Sequence, residues 1–194
     1  GRLYNGDELL YLMADDRLGR DEHVPGVVGT LMTNMAVEVA LKKRGVQFVR
    51  AKVGDRYVLE ELAKHHWILG GEGSGHLLAL DKHTTGDGLI SALQVMQALH
   101  SMNTTFAACT ADFVRLPQQL TNVRLAVGVN AKAKLSAATV IAAQQQAEQA
   151  LVGQGRVLLR ASGTEPVVRV MVEAKDPALC KQWAAHIANA VAAA

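Results

Sequence analysis

The chain has 194 residues, enough for one medium domain or two small ones. With 49% hydrophobic and 20% charged residues it can bury a core, and a net charge of +2 gives no field that argues for nucleic acid or an anionic membrane. No run approaches the ~18 consecutive apolar residues that a spanning helix needs.

The opening residues, Gly1-Arg2-Leu3-Tyr4-Asn5-Gly6-Asp7-Glu8, contain no Met and no apolar signal core, which reads as a processed product or a fragment. Residues 5–18 read as a helix, with Asn5 as its cap and Asp7 and Glu8 in its first turn. A polar stretch, Gly19-Arg20-Asp21-Glu22-His23, follows. Then come a strand at 24–31, a cap at Thr33/Asn34, a helix at 35–44 stopped by Gly45, and a strand at 46–52. Val53-Gly54-Asp55-Arg56 forms a turn into a helix at 57–65. Short apolar runs at 67–69 and 76–80 flank a glycine-rich loop, and Asp87 caps a helix at 88–101. This alternation is the pattern of an α/β unit. Residues 102–117 read as a short helix and a connector ending at Pro117.

Beyond Pro117 the pattern becomes strand (119–127), helix (136–151), two strands (156–161 and 167–174) and helix (177–193). In the last helix Leu179, Trp183, Ile187 and Val191 share one face. This segment is small but long enough to fold alone. Cys109 and Cys180 stand outside any C-x-x-C pair and read as small buried side chains in a reducing cytosol. His65, His66, His76 and His83 have no spacing that fixes metal geometry.

Two loops offer chemistry. Gly70-Gly71-Glu72-Gly73-Ser74-Gly75-His76 mixes backbone freedom with a carboxylate, a hydroxyl and an imidazole, the donors and acceptors that a hydroxyl-rich ligand needs. It is neither a dinucleotide fingerprint nor a nucleophile elbow. The plainer reading is a flexible hairpin turn. Arg160-Ala161-Ser162-Gly163-Thr164-Glu165-Pro166-Val167-Val168-Arg169 sets two guanidiniums around a turn with hydroxyls and a glycine amide, which suits a phosphate dianion. The plainer reading there is a hairpin with edge arginines in surface ion pairs. Asp55, Thr85 and Asp87 read first as caps, and Arg56 and Lys82 as solvated charges.

In this order, the loops Val53-Gly54-Asp55-Arg56-Tyr57-Val58, Glu72-Gly73-Ser74-Gly75-His76, Thr84-Thr85-Gly86-Asp87-Gly88 and Arg160–Arg169 closely resemble the C-terminal half of the bacterial phosphoglucosamine mutases, in the α-D-phosphohexomutase superfamily. Gly73 departs from that branch, which often has Gln or Asn there. The resemblance implies a mixed-sheet α/β domain 3 (21–112) followed by a small α+β domain 4 (118–194), with residues 1–20 as the end of domain 2. It implies interconversion of glucosamine 6-phosphate and glucosamine 1-phosphate through a phosphoserine and a glucosamine 1,6-bisphosphate intermediate, on the cytoplasmic route to UDP-N-acetylglucosamine and peptidoglycan.

The same resemblance implies sugar binding by Glu72, Ser74 and His76, and phosphate binding by Arg160, Ser162, Gly163, Thr164 and Arg169. His76 is expected to exchange a proton and Arg56 to stabilise charge. The serine and the Mg²⁺ ligands are expected upstream, in N-terminal domains of the same enzyme, so that the chain alone is inactive. A homodimer is compatible with this reading; nucleic-acid and membrane partners are not expected. Two alternatives stay open: a phosphomannomutase/phosphoglucomutase-type enzyme, and a phosphosugar-binding module without turnover.

Overall fold

The computed structural model describes residues 1–194 apart from Asp112, Val127, Gly163 and Thr164. The chain divides into two compact units, Gly1–Arg115 and Leu116–Ala194.

The first unit opens with helix α1 (Gly6–Gly19). The Asn5 side chain accepts from the Asp7 and Glu8 amides while the Glu8 carboxylate accepts from the Asn5 amide, a reciprocal capping box. Leu10, Leu12, Met13 and Ala14 are buried, so α1 is a core helix of this unit. The first compact unit includes residues 1–20.

A four-stranded sheet follows, in the order β2-β1-β3-β4. Its strands are β1 (Gly26–Thr30), β2 (Gln47–Ala51), β3 (Leu69–Gly71) and β4 (Leu77–Ala79). β2 and β3 lie parallel to β1 on its two sides, and β4 runs antiparallel to β3. Strand β1 starts later than residue 24 because Pro25 has no amide to give the ladder; its carbonyl accepts from Gln47. Helix α2 (Met35–Lys43) joins β1 to β2, and α3 (Asp55–His65) joins β2 to β3. Val58 and Leu62 of α3 pack with Val28, Ala51, Trp67 and Leu78. Helix α4 (Gly88–Ser101) packs on α1, and the short α5 (Phe106–Cys109) ends the elements of this unit.

The second unit is a three-stranded antiparallel sheet, order β5-β7-β6, built from β5 (Gln118–Arg124), β6 (Gly155–Ala161) and β7 (Val167–Ala174). Strand β5 ends at Arg124, which pairs with Val167, the first residue past Pro166. Helices α7 (Ala138–Ala150) and α8 (Pro177–Ala193) pack together and cover the face that carries Val168, Val170, Val172 and Ala174. The buried stripe of α8 is Cys180, Ala184, Ile187 and Val191, so Leu179 and Trp183 sit at its margin. A short helix α6 (Ala131–Leu135), absent from the sequence reading, precedes α7 and ends at Ser136. Burial pushes both thiols above their ordinary value; Cys109 is only half-buried, whereas Cys180 is buried and its Sγ donates to the Pro117 carbonyl. Among the described residues no helix is long and apolar enough to cross a membrane.

Candidate functional site

Strands β1, β2 and β3 run parallel, so the segments after them emerge at one end of the sheet. With β2 and β3 on opposite sides of β1, this end is a topological switch, where open α/β sheets bind ligands. The glycine-rich loop after β3 lies there. It closes as a tight turn: the Gly75 amide donates to the Glu72 carbonyl at 3.0 Å, and the Glu72 amide donates to the His76 carbonyl at 2.9 Å. Gly75 has φ +98°, a conformation that favours glycine.

Three elements buttress the loop. The Gly6 amide at the start of α1 donates to the Gly73 carbonyl at 3.0 Å. A Cβ on Gly6 would stand 1.9 Å from the Glu72 carbonyl oxygen, so only glycine allows this approach. Asp7, 2% exposed, lies against Gly73 and accepts from the Asn34 amide at the cap of α2. The Glu72 carboxylate accepts from the Gly54 amide at 2.9 Å, which ties the loop to the turn before α3.

The expected sugar-binding residues are thus held in one loop. One Glu72 carboxylate oxygen serves the structure, and Ser74 is exposed at the tip. His76 packs against Gly86 so closely that a Cβ there would be 2.1 Å from Nε2. That Nε2 lies 3.5 Å from an Asp55 carboxylate oxygen. Arg56 goes elsewhere. Helix α3 begins at Asp55, so Arg56 is a helical residue, 82% exposed and paired with Glu60 one turn on at 2.9 Å. Glu60 also raises its pKa. Asp55 is not the cap of α3, which is Gly54; its carboxylate accepts from the Arg56 amide and faces His76. Asp87 is the cap of α4, and its bonds from the Ile90 and Leu89 amides lower its pKa. Lys82 pairs with Asp81, which is also gripped by both ends of the buried Arg17 guanidinium at 2.9 and 3.1 Å.

In the second unit β7 alternates. Val168, Val170 and Val172 face the helices, and Arg169, Met171 and Glu173 face the other way. Arg160 on β6 is directly opposite Arg169, and Asn122 on β5 opposes Arg169 from the other side. Like charges directly opposite repel. Burial and then the Arg169 charge lower the Arg160 pKa. Arg169 reaches Glu165 at 3.5 Å, and its buried Nε has no hydrogen-bond partner among the described residues. The Ser162 amide donates to the Val167 carbonyl at 2.9 Å, which shapes the turn between the strands. Gly163 and Thr164 lie outside the described residues.

Residue-type reasoning missed the supports. Asp7 reads as a first-turn acid, Asp55 as a cap, Gly86 as a turn residue and Asn122 as one polar strand position among several. The available signal was the glycine at Gly6 beside a capping sequence, where a good helix former would be expected.

A family model described as phosphoglucomutase/phosphomannomutase, alpha/beta/alpha domain III, matches residues 5–116, and the C-terminal domain of that family matches residues 120–190. The chain belongs to the phosphoglucomutase/phosphomannomutase family. Within the family it is 65% identical over 189 residues to a phosphoglucosamine mutase of Albidiferax ferrireducens, covering 97% of this chain and 42% of that protein. It is 63% identical over 193 residues to a phosphoglucosamine mutase of Acidovorax ebreus, covering 100% of this chain and 43% of that one. The chain therefore spans less than half the length of these relatives. Among solved structures, the fold is similar to the Aspergillus fumigatus N-acetylphosphoglucosamine mutase in complex with GlcNAc-6P and magnesium. That match has a TM-score of 0.74 at 22% identity and covers 98% of this chain and 47% of the fungal chain. A variant of that mutase in complex with glucose 1,6-bisphosphate gives a TM-score of 0.76 at 24% identity, covering 99% and 44%.

Proposed function

We propose that this chain is the sugar- and phosphate-binding half of a phosphoglucosamine mutase, which interconverts glucosamine 6-phosphate and glucosamine 1-phosphate by phosphoryl transfer in the cytoplasm. The observation that carries the reading is the Arg160–Arg169 pair, directly opposite each other on β6 and β7, with the buried Arg169 Nε unpartnered among the described residues. A phosphate dianion there relieves the repulsion and fills the open donor. The phosphoglucosamine mutases at 61–65% identity narrow the substrate class.

The chemistry follows from the parts. Phosphoryl transfer depends on positioning and charge neutralisation more than on covalent help from the protein. Arg160 and Arg169, with Ser162, Gly163 and Thr164, hold the phosphate that is not reacting, and that remote binding energy orients the reacting end. Glu72 and Ser74 hold sugar hydroxyls. His76 beside Asp55 exchanges a proton with the sugar oxygen, and Arg56 must swing away from Glu60 to stabilise charge there. The phosphoserine donor is assigned to the part of the relatives' length that this chain does not span. Among the described residues no group of three or more His, Cys, Asp or Glu side chains is arranged to hold a metal ion, and no step here is assigned to Mg²⁺.

The test joins this chain to the preceding residues of the Albidiferax relative and assays glucosamine 1-phosphate formation alongside phosphosugar titrations. Arg160→Ala should weaken phosphosugar binding by about 1.5–3 kcal/mol, the usual worth of a charge-assisted contact. Unchanged affinity would overturn the phosphate assignment. Faster turnover of mannose or glucose phosphates would move the enzyme to another branch of the family.

A further inference from the structure

The two nitrogens of the His76 ring have different surroundings. Nε2 is buried and has no hydrogen-bond partner among the described residues, although the side chain as a whole is 40% exposed. The Gly86 backbone lies against that edge: a Cβ there would stand 2.1 Å from Nε2, 2.6 Å from Cδ2 and 2.7 Å from Cε1, so only glycine leaves room for the ring. The Asp55 carboxylate faces the same nitrogen, with Oδ2 at 3.5 Å. Asp55 is itself held: its Oδ1 accepts from the Arg56 amide at 2.8 Å, which leaves Oδ2 for His76. It stands in the first turn of α3, where the helix dipole favours a negative charge. The backbone of His76 is fixed as well, since its carbonyl accepts from the Glu72 amide at 2.9 Å.

We propose that Asp55 is the positioning residue for His76: Oδ2 keeps the ring proton on Nε2, so that Nδ1 is the nitrogen that exchanges a proton with the sugar oxygen. This rests on the reading of His76 as the proton-exchanging group. A neutral imidazole has one N–H and one lone pair, and the partner of one nitrogen sets the role of the other. Nε2, walled in by Gly86 and Asp55, cannot meet a ligand, so the open lone pair is that of Nδ1. Contacts of this kind are often long without substrate and shorten when it binds. In the step itself Nδ1 takes the hydroxyl proton as a lone pair of the sugar oxygen forms the new bond to phosphorus. The phosphoserine oxygen leaves with the electron pair of the P–O bond that breaks. The imidazolium then carries a proton on each nitrogen, and Asp55 offsets its charge without taking a proton. In the reverse direction Nδ1 returns the proton to the sugar oxygen.

Asp55→Asn tests this. The amide oxygen can keep the Arg56 bond, which turns the NH₂ group toward Nε2; Nε2 must then accept, and the ring proton moves to Nδ1. Long-range proton–nitrogen NMR of the 194-residue chain in alkaline buffer reads the neutral tautomer, with His76→Ala assigning the signal. The expected result is Nε2–H in the unsubstituted chain and Nδ1–H in Asp55→Asn. Nδ1–H in the unsubstituted chain, or one tautomer in both, overturns the proposal. In the fusion to the preceding residues of the Albidiferax relative, Asp55→Asn should lower kcat about tenfold or more and change KM less than about twofold. It should cost nothing further in a His76→Ala background. An equal loss in that background overturns the proposal, because Asp55 would then act on the substrate directly. Full turnover by His76→Ala sinks the proton-exchange reading, and the positioning role with it.

Discussion

At the scale of single residues, the buried charges of the first unit are all placed by partners. Arg17 is 3% exposed and holds Asp81 with two hydrogen bonds, with Glu22 at 3.3 Å as a third contact. Burial by itself would raise the Asp81 pKa; Arg17, and then Lys82, outweigh it and lower it. A depressed carboxylate contributes stability above its unfolded pKa of about 3.9, and that contribution is lost as pH falls through the lower folded value. Asp81→Asn should therefore destabilise the chain at pH 7 by about 1–3 kcal/mol, because Arg17 stays buried with a weaker partner. The gap between the two proteins should close as pH drops below about 4. Urea unfolding across that range measures it, and a gap independent of pH would refute the assignment.

At the scale of elements, the loop of Glu72, Ser74 and His76 depends on how α1 meets β3. The capping box makes the first turn of α1 rigid, and Gly6 brings that turn against the loop backbone. Gly6→Ala places a methyl 1.9 Å from a carbonyl oxygen, and backbone cannot swing aside as a flexible side chain can. The expected loss is about 1–3 kcal/mol of stability, the usual cost of overpacking, together with weaker phosphosugar binding. A loss below about 0.5 kcal/mol by urea titration would mean that the loop moves freely from α1.

At the scale of the whole molecule, the two units have separate cores. In Leu116–Ala194 the helices α7 and α8 close one face of the sheet through Val140, Leu151, Val170, Ile187 and Val191. Cys109 and Cys180 are free and lie in different units, so no disulfide closes this core. Residues 116–194 expressed alone should fold, near the small end of what a single core supports. A cooperative urea transition seen both by circular dichroism and by Trp183 fluorescence is the expected result. A gradual, non-coincident change would show that this core needs the rest of the chain.

The local rules of the chain were enough for most elements. Caps at Asn5, Asn34 and Asp87 and the stop at Gly45 act over a few residues, so they are legible in the sequence. The short helix α6 escaped because five residues carry too little periodicity to show. The residue types of both candidate loops were legible, but their partners were not. That Gly6 meets Glu72 and that Asp55 faces His76 are consequences of strand order, and that Arg160 opposes Arg169 is a consequence of hairpin register, whereas Arg56 turns to Glu60 as an i, i+4 pair because α3 starts at Asp55. The Gly6–Glu72 and Asp55–His76 contacts join positions far apart in the chain, and only the packed sheet, with its parallel strands opening at one end, brings them within reach.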